Sequence, residues 1–440
     1  MSLSKRGSSA EELNNSLTIW KILADQWSKS NPGGYVSLGV AENTLMHEEL
    51  CDHITKHFQV ASQQLTYGDG PAGSHRLRDS MARFLTKYLK PATPIKRNDI
   101  TVTNGCTSAI EHMSWAFSNP GEGFLLGQPH YGAFETDITF RTESKLVQVP
   151  FGSGVDPVSV DCVAKYEASL SKAREAGTKV VGLFLCNPHN PLGRCYSRET
   201  LVELMKFCQR NNLHLISDEI YALSVWENTV DTDPAPNPFT SVLSIDPDGL
   251  IDASRIHVLW GMSKDFGANG LRLGAIISQH NPSLASSLSA LAIYSSASSL
   301  TDVATANLLE DEQWVESYVI KNRKLLSENY AIVTRWAKDN DIEYLPGVNA
   351  AFFLWVNLGK AYKTRHASSE DIGCAKLDKL LLDQRIFLAS GLAFGSEADG
   401  WFRIVFTHKK EFLMEGLKRV VQAMGVETAE SQLPKLTGKL

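Results

Sequence analysis

Residues 180–193, VVGLFLCNPHNPLG, run an apolar stretch straight into a polar, proline-rich turn. The stretch from Val180 to Leu185 is too short for a typical helix and shows no polar alternation, so it reads as a strand covered on both faces. Moving outward in both directions, similar short runs occur at Ile100 to Thr103, Gly123 to Leu126, Leu213 to Ile216, His257 to Trp260 and Leu273 to Ser278. Each is bounded by Gly, Pro or Asn, and most are separated by helical patterns. Strands alternating with helices predict an α/β fold with a mostly parallel sheet, whose ligands sit beyond the carboxyl ends of the strands.

The residues just past those ends carry the chemistry. After Thr103 come Asn104, Gly105, Cys106, Thr107 and Ser108, opening the helical pattern AIEHMSWAF; after Leu126 come Gln128, Pro129, His130 and Tyr131. The 187–193 turn contains Asn190. Ile216 is followed by Ser217, Asp218, Glu219, Ile220 and Tyr221, and Trp260 by Gly261, Met262, Ser263 and Lys264, with Arg272 eight residues beyond the lysine. From Glu310 the pattern changes to long helices, notably Val315 to Trp336, and then to short strands near Ala351 to Val356 and Phe402 to Phe406. This predicts a second, smaller α+β domain. No period of 20 to 50 residues marks a repeat protein.

Composition narrows the function classes. The 440 residues carry 43 Lys+Arg against 49 Asp+Glu, a net charge of −6, with no long block of one sign, which argues against nucleic acid as a partner. No apolar run is long enough to span a membrane. Seven cysteines, at 51, 106, 162, 186, 195, 208 and 374, include no C-x-x-C pair, so neither a disulfide framework nor a zinc knuckle is expected, and no metal. The opening MSLSKRGSSAEELNNS lacks the apolar segment of a signal peptide, and Glu11 and Glu12 argue against a transit peptide, so the expected location is cytoplasmic. The C-terminal TAESQLPKLTGKL reads as a loosely held tail.

An amine becomes a nucleophile only after losing its proton, which burial and a cationic neighbour promote. Taken singly, Lys264 reads as a solvated loop lysine. With its neighbours it reads differently. A helix N-terminus at Gly105, Cys106 and Thr107, with the Ser263 hydroxyl and the Arg272 guanidinium, would form a cup for a phosphate monoester, implying a phosphate-bearing aldehyde. Asp218 at a buried strand end needs a partner, either a structural cation or a protonated heterocyclic nitrogen. Tyr131 would stack on such a ring while Asn190 and Tyr221 bond a phenolic oxygen on it; each alone reads rather as a turn or core residue, and together they describe one molecule.

These residues resemble the fold-type I pyridoxal 5′-phosphate enzymes of the aminotransferase class I/II superfamily, and within it the 1-aminocyclopropane-1-carboxylate synthases. The likeness runs from about Tyr35 to Phe406 and rests chiefly on NPHNPLG at 187–193, SDEIY at 217–221 and SKDFGANGLRLG at 263–274. It implies a large domain around a seven-stranded sheet, a small domain built from both chain ends, and a homodimer with shared active sites. The corresponding division is 1–66 for an N-terminal arm and part of the small domain, 67–312 for the cofactor-binding domain and 313–440 for the C-terminal small domain. By motif, Lys264 resembles the Schiff-base lysine, Asp218 the pyridinium partner and Tyr131 the stacking ring. Asn190 and Tyr221 resemble the contacts to the 3′-oxygen, Ser263 and Arg272 the phosphate ligands, and Tyr67 the tyrosine that reaches the neighbouring subunit's cofactor. Arg403 in GWFRIVF resembles the arginine that grips the substrate α-carboxylate. One departure is Gly261, where the family usually has a phosphate-binding serine, so the cup is expected to be looser or built differently.

The shared residues imply the cofactor and removal of an α-proton, not the outcome. SLGVAENTL at 37–45 resembles the synthases' version, where general aminotransferases usually have Gly-Glu-Pro-Asp. Glu42 then resembles a glutamate near the substrate's methionine portion, where a carboxylate would favour a sulfonium cation; its other reading is an entry-loop glutamate. The implied substrate is S-adenosyl-L-methionine, losing methylthioadenosine from its γ-carbon by ring closure or γ-substitution. Transamination to a 2-oxo acid and β-elimination from cysteine conjugates stay open, and a noncatalytic cofactor-binding regulator is disfavoured by the retention of Lys264, Asp218 and Arg403.

Overall fold

The structure, a computed structural model, describes residues 3–231, 233–366 and 372–425. The expected polar tail from 428 lies outside the described residues. The large sheet holds seven strands: β1 (Ile100–Thr103), β2 (Gly123–Gly127), β3 (Lys145–Val149), β4 (Val180–Cys186), β5 (His214–Asp218), β6 (Ile256–Gly261) and β7 (Gly274–Ile277). Their spatial order is β1-β7-β6-β5-β4-β2-β3. Only β7 runs against its neighbours; every other adjacent pair is parallel.

Every residue of β4 is buried, as its unbroken apolar run requires of a strand with a helical layer on each face. β3 is the one strand of this sheet that the apolar pattern does not reveal. It lies at the sheet's edge with Lys145 and Gln148 exposed, so solvent replaces the packing that would demand an apolar run. Helices Gly105–Phe117, Cys162–Glu175 and Arg198–Asn211 supply covering layers. The last begins on Ser197, whose side chain accepts from the Thr200 N–H, and ends on Asn212 in the left-handed region. With six strands pointing one way, the ends of β2, β4, β5 and β6, and the start of the Gly105–Phe117 helix after β1, lie along one edge of the sheet.

A second, four-stranded antiparallel sheet is formed by Ala389–Ser390, Trp401–Val405, Phe353–Asn357 and Glu343–Tyr344, in that spatial order. The long helix expected at Val315 to Trp336 spans Glu312–Asp339. The N-terminal segment joins this unit: Val36–Ser37 pairs in parallel with Ile386–Phe387, and the Val405 N–H donates to the Leu38 carbonyl at 2.8 Å. Both chain ends are tied by Arg419 of the helix Lys410–Ala423, which is buried and donates to the carbonyls of Pro32 (2.9 Å), Gly34 (2.7 Å) and Arg385 (3.1 Å) and to Glu415 Oε1 (2.7 Å). Gly416 on the same helix lets the N-terminal segment approach closely, since a Cβ there would lie 2.6 Å from Leu38 Cδ1.

Because Arg419→Ala removes a buried charged donor from the Pro32, Gly34 and Arg385 carbonyls, of which the Gly34 bond is fully buried, the substitution is expected to lower unfolding stability by about 2–3 kcal/mol. Urea titration followed by fluorescence checks this, and a midpoint equal to that of the parent chain would show that the two ends are held by apolar packing alone.

Candidate active site

At the edge where the parallel strands end, the chain brings together three ionisable groups, Lys264, half-buried, and Asp218 and Arg403, both buried. Lys264 follows β6 on the short helix Met262–Asp265. Its Nζ donates to the Ala41 carbonyl at 2.6 Å. Desolvation, with the Arg403 cation as second cause, lowers its pKa from 10.5 to about 8; Glu42, Cys106 and Asp218 oppose the shift. The amine is thus readily freed of its proton.

Asp218 ends β5 and is 4% exposed. Burial pushes its pKa up to about 7, against the pull of the Ile220 N–H, which donates to Oδ1 at 3.2 Å, and of Lys264. Among the described residues it has no ion-pair partner, so the structural-cation reading of this carboxylate has no support in the fold. A cationic nitrogen brought beside it would restore its charged form. Tyr131, also lined up on this edge, is raised to about 12 by burial and then by the charge of Asp137. Asp137, which no motif singles out, is raised to about 7 by burial and by Asp218, against the pull of the Thr107 side chain, and leaves Oδ2 buried without a partner.

Arg403 on the strand Trp401–Val405 is 3% exposed. Its Nη1 donates to Asn190 Oδ1 at 2.7 Å and its Nη2 to the Gly39 carbonyl at 2.6 Å, while Nε is buried with no partner. The guanidinium lies over the rings of Phe353 and Phe394, 4.4 and 4.7 Å from their centroids, and burial lowers its pKa to about 10. No carboxylate neutralises it among the described residues. Tyr221 is buried edge-on to Phe352 and Phe353, and its hydroxyl is held well above its ordinary value by burial. Glu42 Oε1 accepts from Asn269 Nδ2 at 2.9 Å, which joins the N-terminal segment to the 263–274 motif.

The expected phosphate ligands meet at the start of the Gly105–Phe117 helix. Gly105 has φ +81°, and a Cβ there would meet Arg272 Nη2 at 2.4 Å. The guanidinium therefore rests against the N-terminus of the 13-residue helix Gly105–Phe117, two positive ends side by side. Such a pairing is unfavourable until an anion lies between them. Arg272 itself is in the left-handed region, φ 51°, with Nη1 donating to the Asn269 carbonyl at 2.9 Å. Ser263 is buried beside Lys264.

Gly261 has a steric reason. A Cβ at this position would lie 2.7 Å from the Leu273 carbonyl oxygen and 3.0 Å from Cys106 Sγ. The space a serine side chain would need here is filled by the backbone of the 273–274 segment and by the Cys106 sulfur. Cys106 is itself fully desolvated, its thiol pushed well above its ordinary pKa and so inert.

The residue after the lysine is also built in. Asp265, 1% exposed, accepts from Leu223 N (3.1 Å), Ser224 N (3.0 Å), Ser224 Oγ (2.8 Å) and Trp260 Nε1 (3.0 Å). It locks the Lys264 turn to the segment that follows Asp218. Neither Asp265 nor Asp137 stands out in sequence, because a lone Asp beside a lysine or within a helix has the same appearance on any surface. Tyr67 stands apart from the cluster, fully exposed to solvent.

The arrangement fits pyridoxal 5′-phosphate on three counts: a cup of two positive ends for the phosphate, an unpaired buried carboxyl for the ring nitrogen and a depressed amine for the aldehyde. The "Aminotransferase class I and II" family model matches residues 34–420. A Mus musculus protein described as "Probable inactive 1-aminocyclopropane-1-carboxylate synthase-like protein 2" is 33% identical over 95% of this chain and 71% of its own length. The Mus musculus "1-aminocyclopropane-1-carboxylate synthase-like protein 1" is 34% identical over 90% and 77%. A solved structure of an aspartate aminotransferase variant from Thermus thermophilus, complexed with tryptophan, superposes with a TM-score of 0.73 at 18% identity, covering 96% of this chain and all of that one.

In the cofactor-free protein, labelling of Lys264 by an amine-reactive reagent should rise with pH around a midpoint of about 8, since desolvation favours the neutral amine. Peptide mapping across a pH series measures it; a midpoint at the ordinary lysine value would place the amine in water.

Proposed function

Since the chain belongs to the aminotransferase class I and II family, whose cofactor is pyridoxal 5′-phosphate, we propose that it is an enzyme acting at the α-carbon of an L-amino acid, with S-adenosyl-L-methionine as its substrate. Lys264 would hold the cofactor, with Asp218 facing its ring nitrogen, Tyr131 against its face, Asn190 and Tyr221 at its 3′-oxygen, and Gly105, Cys106, Thr107, Ser263 and Arg272 around its phosphate. Bound there, the cofactor supplies an aldehyde for the substrate amine and a ring that withdraws electrons from the α-carbon.

The chain's own groups do the rest. Arg403, buried without a counter-carboxylate, grips the substrate α-carboxylate through paired N–H donors. Asn190 already fixes the guanidinium's orientation at 2.7 Å. Lys264 Nζ, once free, takes the α-proton; its depressed pKa matches that of a base working near neutrality. The observation that carries the substrate assignment is Glu42, held by Asn269 within electrostatic reach of Lys264, where its carboxylate would favour a sulfonium on the substrate side chain. The γ-carbon–sulfur bond breaks with both electrons going to sulfur, methylthioadenosine leaves, and a bond from Cα to Cγ closes a three-membered ring. The balance is one S-adenosylmethionine giving 1-aminocyclopropane-1-carboxylate, methylthioadenosine and one proton. Capture of the γ-carbon by another nucleophile in place of ring closure is a variant of the same step.

We further propose a homodimer. Tyr67 is fully exposed, and the nearby chain surface includes Leu65 at 76% exposure, which fits residues that complete a neighbour's site.

Mass spectrometry of reactions with S-adenosylmethionine, cysteine conjugates and amino acids, with and without 2-oxo acids, tests the reading. Methylthioadenosine is the expected product. Its absence, with oxo-acid-dependent amino transfer instead, would assign a transaminase, and pyruvate with ammonia would assign a β-lyase. Arg403→Lys should weaken substrate capture by about 1.5–3 kcal/mol, read as a rise in KM.

Glu42→Gln separates the subclass. It should raise KM for the sulfonium substrate and leave neutral amino acids unaffected, and equal effects on both would remove Glu42 from substrate selection.

A further inference from the structure

Outside the active site, the chain gathers a set of nitrogen and oxygen donors that the reaction does not use. Helix His47–His57 places His53 and His57 four residues apart, hence on one face, with ring centroids 4.3 Å apart. Facing them is Asp311, the residue that caps the long helix Glu312–Asp339. One donor atom from each of the three can be chosen so that all lie within 4.8 Å of one another.

The donors are prepared in the way metal ligands are. His57 Nδ1 lies 2.9 Å from the His53 carbonyl oxygen, which can only accept, so Nδ1 carries the proton and Nε2 presents its lone pair. His57 is exposed, leaving room for water as a further ligand. His53 is buried, its ring held against Trp314 with the two centroids 4.2 Å apart. The Asp311 carboxylate divides its work: Oδ1 accepts from the Trp314 N–H at 3.1 Å as the helix cap, and Oδ2 faces His53 Nε2 at 3.2 Å. Zinc bonds to imidazole nitrogen and carboxylate oxygen are roughly 2.0–2.2 Å, so neighbouring ligands of a tetrahedral zinc stand about 3.3–3.5 Å apart. The His53–Asp311 separation is close to that edge; the metal would replace the proton now shared by the pair.

We propose that His53, His57 and Asp311 form a zinc-binding site of two imidazoles and one carboxylate, with water completing the tetrahedron. The ion would cross-link the helix that follows the Glu42 segment to the start of the long C-terminal helix. None of the three ligands belongs to the cluster around Lys264, so the assignment is independent of the reaction proposed above.

Calorimetric titration of chelator-treated, cofactor-loaded protein with zinc chloride tests it, alongside His57→Ala, which alters an exposed side chain, and Asp311→Asn, which keeps the capping oxygen. The parent chain should bind one equivalent, each variant should bind it at least about tenfold more weakly, and zinc should raise the thermal midpoint of the parent more than that of His57→Ala. Absence of saturable binding by the parent, or a loss smaller than tenfold in either variant, would overturn the proposal and leave His53 and Asp311 as a hydrogen-bonded helix contact.

Discussion

Keeping Lys264 out of water next to the guanidinium of Arg403 is the constraint on which the site depends. An ammonium in that position is disfavoured twice, by lost hydration and by a neighbouring cation, and the amine answers with a pKa near 8. The opposing charges of Glu42 and Asp218 temper the shift without forming an ion pair with it. Arg403 meets a comparable penalty and is compensated through the Asn190 oxygen, the Gly39 carbonyl and two aromatic faces rather than by a carboxylate. A positive charge stabilised by neutral groups keeps its attraction for an incoming anion.

Positioning is done by groups that do not touch the reacting atoms. Asp265 gathers four donors from residues 223, 224 and 260, so the turn bearing Lys264 and the segment after Asp218 move as one piece. The long C-terminal helix engages the same region: Tyr318 OH donates to the Phe266 carbonyl at 2.9 Å and Arg323 Nε to the Leu223 carbonyl at 2.8 Å. Gly261 and Cys106 show the same economy of space, one side chain's absence matched by its neighbour's sulfur. A departure from the family pattern at one position is thereby absorbed at another that no sequence spacing connects to it.

The candidate groups of the site were largely legible in the sequence, because short motifs flanking the strands carry them: Asn190, Asp218, Tyr221 and Lys264 fall just past the end of an apolar run, and Arg272 just before the start of one. The core strands were legible for the same reason, since a strand covered on both faces must be apolar throughout. Strand β3 was not, because an edge strand with Lys145 and Gln148 in water has no such requirement. Asp137, Asp265 and Asn269 were hidden as well. Their significance lies in what they face, Thr107, the 223–224 backbone and Glu42, and these partners are distant in the chain.

The amino-acid sequence by itself therefore determined the alternation of strands and helices, the parallel sheet and the identity of the groups at its edge, all of which follow from local periodicity and turn chemistry. Tertiary structure alone decided the protonation preferences of Lys264 and Asp218, the neutral cradle of Arg403, the fit of Gly261 against Cys106 and the meeting of His53 with Asp311. Desolvation and contact depend on which distant segments pack together, and that information is held by the folded chain as a whole rather than by any stretch of it.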